Sequence, residues 1–218
     1  MLDFTAVIAQ LPRMAAGAQT TIWISAAALL CGAALGLVMC AARLSRNIFL
    51  RALAAVFVSM FRGLPLLVVL LILFYVPPNF GVETTPLTAA LLGLTLNTAG
   101  YQTEIYRAGF LTVPPGHAEA ARMLGFSRLQ IARHIFLPQI FRVTIPALTN
   151  EAVDVVKSSG LLSIIAVTEL LRISQQIVSS TYRPLETYLV CGLFYFLMST
   201  AVSSFGRFLE RRLTPKPA

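Results

Sequence analysis

Charge is what this sequence has least of. Only 12% of its 218 residues are Asp, Glu, Lys or Arg, against 57% hydrophobic, whereas soluble domains carry about 25% charged residues. The scarcity is concentrated. Residues 14–42, 63–82, 84–103 and 187–206 hold no charged side chain at all. A water-exposed helix or strand interrupts its apolar residues at its own period, so runs of this length exclude a soluble fold. About 20 predominantly apolar residues are needed for a helix to cross the hydrocarbon core. The runs therefore predict an all-α fold: a polytopic membrane bundle forming a single domain over 1–218.

Cysteine and histidine are nearly as scarce. Cys31, Cys40 and Cys191 all fall inside apolar runs, too few and too far apart for a metal site, and read as small buried hydrophobes. His117 and His134 are the two histidines, and neither belongs to a Ser-His-Asp arrangement. They read as surface residues of a polar connection, so no catalytic and no metal-binding residues are expected. No Gly-x-x-x-x-Gly-Lys-Ser/Thr segment occurs, which excludes nucleotide binding through a phosphate loop. The first apolar run also lacks the basic flank of a signal peptide, since Asp3 and Arg13 are the only charges before it; it is expected to stay in place as a span.

What charge there is has a pattern. The net charge is +8, and its placement decides its meaning. Arg43, Arg46 and Arg51 follow the first run; Arg107, Arg122, Arg128 and Arg133 lie between the third and fourth; Arg207, Arg211, Arg212 and Lys216 follow the last. The alternate connection at 77–86 has no Lys or Arg. This is the positive-inside distribution. It excludes a nucleic-acid role for the basicity and places the N-terminus outside and the C-terminus in the cytoplasm. An odd number of spans follows, about five, at roughly 20–42, 52–76, 87–110, 137–156 and 185–205. Residues 157–184 are interrupted by Glu169 and Arg172 and read as a re-entrant or interfacial helix packed on the bundle.

Polar groups at membrane depth are costly and are functional candidates. Asn150, Glu151, Asp154 and Ser158 recur at intervals of three and four, placing them on one helical face. That face suits a solute path; the alternative pairs Asp154 with Lys157 and bonds Glu151 to a neighbouring helix. Asn97, Tyr101 and Glu104 are spaced likewise in the third run, with Glu104 positioned to pair with Arg107. Arg62 is read as reaching for the inner surface, with a gate as the alternative. Gly32 and Gly36 permit close helix approach, either inside the bundle or at a subunit seam.

The most informative stretch is the connection at 113–138. Pro114 and Pro115 end one helix and start another, Ala118 to Leu124 are strong helix formers, and Gly125 supplies a left-handed stop. Ser127 and Gln130 have capping-box spacing for a further helix. Met123, Leu124 and Phe126 are apolar knobs where a plain linker would be polar, which suggests a docking surface.

Glu119-Ala120-Ala121, Gly125 and Ile135-Phe136-Leu137-Pro138 together resemble the EAA motif of permease subunits of ATP-binding cassette (ABC) importers. Phe61-Arg62-Gly63-Leu64-Pro65 resembles the Arg-Gly-x-Pro of the polar amino-acid permeases in that class. Asn97, Tyr101, Glu104, Arg107 and Gly109 match as well, as does the segment from Asn150-Glu151 through Lys157, Leu161 and Glu169-Leu170. His117 stands where the family usually has Gln, and Ser158-Ser159-Gly160 replaces a frequent Asp-Thr-Ser. The likeness covers nearly the whole chain.

The resemblance implies a membrane-spanning permease of an ATP-driven amino-acid importer in a bacterial inner membrane, working by alternating access. It implies that Gly116, His117, Glu119, Ala120, Ala121, Leu124, Gly125 and Phe126 dock a cytoplasmic ATPase dimer, and that ATP and Mg are bound by that partner, not by this chain. A second permease subunit, an extracytoplasmic solute-binding protein, an amino-acid solute and membrane lipid complete the implied partners. A stand-alone secondary transporter or channel is the alternative and would show an internal repeat; none is evident. An intramembrane enzyme would have only Glu151 and Asp154 as a carboxylate pair, and a non-transporting scaffold subunit is a third reading.

Overall fold

The computed structural model describes residues 4–213. Asp3 and Lys216, which entered the charge pattern, lie outside the described residues. Ten α-helices follow one another: α1 (Thr5–Ile8), α2 (Leu11–Arg43), α3 (Ile48–Gly63), α4 (Leu66–Tyr75), α5 (Pro86–Leu111), α6 (Pro115–Met123), α7 (Arg128–Ile131), α8 (Leu137–Ser158), α9 (Leu170–Thr181) and α10 (Pro184–Leu213). Strands are absent among the described residues, so the all-α expectation holds.

Helix α5 is the hub, packing against α2, α3, α4 and α8. It starts where its sequence dictates. Pro86 sits in its first turn, and Thr85 and Thr88 form a reciprocal capping box at 3.2 and 3.0 Å, satisfying backbone donors that the first turn leaves open. Glycine lets α2 come close to it. A Cβ built on Gly36 would stand 3.1 Å from Gln102 Cβ and 3.3 Å from the Ala99 carbonyl, and one on Gly32 would collide with Thr98 Cγ2. Of the two readings of this glycine pair, internal bundle packing is the one realised.

Two apolar clusters hold the bundle. One joins Ile24 and Ala28 of α2, Leu70 of α4, Ala90 and Leu94 of α5 and Leu162. The other joins Val7, Met14 and Ala18 to Leu170, Ile173 and Ile177 of α9 and to Cys191 and Met198 of α10. At their edge Glu169 is fully buried. Its carboxylate caps α9 by accepting from Leu171 N at 2.8 Å and Arg172 N at 2.7 Å, and it accepts from Tyr195 Oη at 2.9 Å. The segment after α8 thus ends in a helix packed on the bundle, bent 51° from the one before it, as the interrupted hydropathy predicts. Cys31, expected to be buried, is exposed; Cys40 and Cys191 are buried.

Helices α2 and α10 are each long and apolar enough to cross a membrane, and each bent pair of helices reaches that standard only when taken together. The expectation of a single helix over 52–76 is corrected here: α3 and α4 meet at 104°. Pro65 is the cause. It lacks the N–H that would bond the Phe61 carbonyl, and it forces Leu64 out of the helical region, to ψ 138°. Asn97 Nδ2 donates to the orphaned Phe61 carbonyl at 2.8 Å, so the break is fixed by α5 rather than left loose. Helix α2 also begins nine residues or so before the expected span, because Pro12 suits its first turn.

Candidate functional site

The break between α3 and α4 opens a cavity of about 670 Å³ against α5 and α8. Arg62, Asn97, Tyr101, Glu151, Asp154, Lys157 and Ser158 line it. Most of the polar residues singled out from sequence therefore converge on one space. Asn150 does not line it and is exposed. The four-residue spacing of Asn150 from Asp154 is real, but Asn150 is a turn away from the cavity's reach.

Arg62 is exposed, and its guanidinium lies over the Tyr101 ring, 5.1 Å from the centroid, an arrangement stabilised by the ring's electron-rich face. Arg62 and Tyr101 also line a smaller cavity of about 300 Å³ with Glu104, Thr144 and Ala147. The stacked pair thus forms the partition between two spaces. Glu104 is held by two cations, Arg43 at 3.3 Å and Arg107 at 3.5 Å; the pairing expected with Arg107 is present, and Arg43 of α2 is its unforeseen second partner.

The two carboxylates of the larger cavity differ in environment. Glu151 is buried and accepts from Thr98 Oγ1 at 2.7 Å. Asp154 is 70% exposed at its side chain and stands 3.8 Å from Lys157 Nζ, a long contact between exposed groups that contributes little. Asp154 is free to change partner; Glu151 is not. Behind Glu151 runs a chain of donors that sequence reasoning missed: Tyr106 Oη to Gln102 Oε1 at 2.9 Å, Gln102 Nε2 to Thr98 Oγ1 at 3.2 Å, and Thr98 to Glu151. The signal was present as polar residues every four positions along α5, on the face beside Asn97 and Tyr101.

The connection between α5 and α8 is a second site. Helix α6 ends in a turn through Gly125 at φ +82°, a region most side chains avoid. Ser127 and Gln130 then form the predicted capping box at 2.8 and 3.3 Å. A π-helical turn over Ala132–Phe136 follows; it widens the helix just ahead of Pro138, whose ring would otherwise press on the His134 carbonyl. Ala118 and Ala121 are buried against Ile131, Ile135 and Phe136. Ala121 therefore holds the loop together and is not part of its outer surface, a correction to the docking set. Gly116, His117, Glu119, Ala120, Leu124, Gly125 and Phe126 are exposed, with Met123 at 88% and Leu124 at 77%.

Residues 28–215 match the family model described as binding-protein-dependent transport system inner membrane component. The chain belongs to that family, whose members are permease subunits of ABC transport systems. Among its relatives, a probable amino-acid ABC transporter permease protein, YckA of Bacillus subtilis, is 36% identical over 205 residues, covering 94% of this chain and 91% of the relative. The glutamine transport system permease protein GlnP of Escherichia coli is 33% identical over 97% of both chains. A crystal structure of an amino acid ABC transporter with histidines matches with a TM-score of 0.90 at 32% identity, covering 97% of this chain and 99% of that one.

Proposed function

We propose that this chain is the membrane-spanning permease of an ATP-driven amino-acid importer, performing no chemistry of its own. The observation that carries this is the cavity that brings Arg62 together with Asp154 and Glu151. An α-amino acid presents an ammonium and a carboxylate. Asp154 supplies an anion able to leave Lys157, and Arg62 supplies a cation with planar donors suited to a carboxylate. Asn97, Tyr101 and Ser158 complete the polar lining, and Glu151 holds the wall through Thr98. The Arg62–Tyr101 stack separates this space from the inner cavity and acts as the gate between them.

The remaining parts follow from this reading. The spans are α2, the bent α3–α4 pair, α5, α8 and α10, with α9 as an interfacial helix; the N-terminus faces outward and the C-terminus lies in the cytoplasm. Helix α5 carries so many polar residues because it is enclosed by its neighbours rather than by lipid. Helix α6 with Leu124 and Phe126 docks the ATPase subunits, which bind ATP and Mg and whose closure rocks this chain and a second permease subunit between openings. A solute-binding protein delivers the amino acid.

The test is affinity purification of the tagged chain in mild detergent. A phosphate-loop ATPase should accompany the wild-type chain and be lost from Gly125→Pro, with the membrane protein still present at normal level. A chain purified free of any ATPase that still transports amino acids in liposomes would overturn the reading in favour of a secondary transporter.

A further inference from the structure

A third cavity, of about 800 Å³, lies apart from the solute cavity and is lined by Arg46, Arg122, Arg128, Ala118, Ile131, Ala132 and Phe136. Its arginines come from three separate elements: the turn after α2, helix α6 and the start of α7. No carboxylate lines it, and none of the three makes an ion pair among the described residues. Glu104, at the inner end of α5, is already held by Arg43 and Arg107. Three like charges directed into one concavity repel each other unless an anion shares it.

The floor and flank of the cavity say which anion. Ile131 is buried and Phe136 half-buried, so the floor is apolar. Immediately after Arg46, the first turns of α3 expose Phe49 at 81%, Leu53 at 67% and Ile48 at 62%. An apolar helix flank beginning two residues beyond a cationic pocket matches a lipid, whose acyl chains lie along the flank while its phosphate enters the pocket. A soluble anion has no use for that flank.

We propose that this cavity binds the phosphodiester headgroup of an anionic phospholipid of the inner leaflet. The bound phosphate ties the α2–α3 turn to α6 and α7, so that the lipid braces the loop that docks the ATPase. The placement at the inner leaflet rests on the orientation proposed above; the binding itself does not.

The test is lipid retention by the purified full-length chain, counted by native mass spectrometry after exchange into mixed phosphatidylglycerol and phosphatidylcholine. Wild type should retain phosphatidylglycerol preferentially. Each of Arg46→Gln, Arg122→Gln and Arg128→Gln should weaken that preference about fivefold, and the triple variant should abolish it. The equally neutralised Arg51→Gln/Arg133→Gln/Arg142→Gln chain, whose arginines do not line the cavity, should behave as wild type. If the triple variant fails to fold, the three single variants carry the test. Equal loss in the control chain, or undiminished retention in the cavity variants, would overturn the proposal. So would arginine-dependent thermal stabilisation by inorganic phosphate without lipid, which would make the ligand a free anion. So would loss of a co-purifying ATPase with lipid retention intact, which would make the cavity a protein contact. Absence of any ATPase would count against the permease reading alone and leave the lipid count interpretable.

Discussion

Single residues set the contacts on which the bundle depends, and their cost is testable one at a time. Gly32 of α2 admits Thr98 of α5 so closely that an added Cβ would collide with it. Gly32→Leu should therefore lower thermal stability in detergent by about 1–3 kcal/mol, as overpacked cores do. Gly192→Leu, with nothing within 4 Å of the added carbon, should leave the melting temperature unchanged; equal effects at the two sites would contradict the assigned packing. Glu169 presents a different case. Its carboxylate satisfies Leu171 N, Arg172 N and Tyr195 Oη at once while fully buried. Glu169→Ala leaves these donors without an acceptor and should cost about 1–3 kcal/mol, with Tyr195→Phe nearer 1 kcal/mol. Thermal unfolding of the two variants side by side measures both.

At the scale of elements, the interest lies in where helices break. Local signals were legible in the sequence. The prolines opening α6, Gly125 and the Ser127–Gln130 box act over a few residues, and the structure realises each. The glycine pair of α2 was legible as close packing. The consequence of Pro65 was not. A proline lying in an apolar run reads as a kink in one span, yet here the helices turn by 104°, and the Phe61 carbonyl that Pro65 leaves free is bonded by Asn97, 36 residues from Phe61. The Arg62–Tyr101 stack was not legible either, since it follows from α3 packing on α5 at Gly100, where a Cβ would stand 3.3 Å from Arg62 Cγ. The Tyr106–Gln102–Thr98–Glu151 chain went unread because neutral polar residues hide among apolar neighbours when charge alone is followed. Pro65→Ala restores the N–H, and should let α3 and α4 open toward a straighter pair. Spin labels on exposed Val56 and Phe80 should then move apart in pulsed distance measurements; an unchanged distance would show that packing alone sets the bend.

At the scale of the whole molecule, the chain reads as two sites on one frame. The solute cavity lies where α3, α4, α5 and α8 meet, and the α6 loop is built onto the start of α8, the helix that carries Glu151 and Asp154. In the proposed mechanism, a push on α6 reaches the cavity wall through α8. Most of the polar residues lining this cavity were legible because polar groups among long apolar runs are rare enough to stand out; Asn150 fell outside because spacing along a helix does not reveal where a cavity ends. The most direct measurement is uptake of labelled amino acids into proteoliposomes that hold the chain with its ATPase, supplied with the solute-binding protein. Wild type should accumulate an amino acid only when ATP reaches the ATPase. Met123→Ser/Leu124→Ser should abolish that accumulation while shifting stability by no more than about 0.5 kcal/mol, since both side chains are exposed. Accumulation driven by an ion gradient without ATP, and indifferent to the α6 substitutions, would contradict the account.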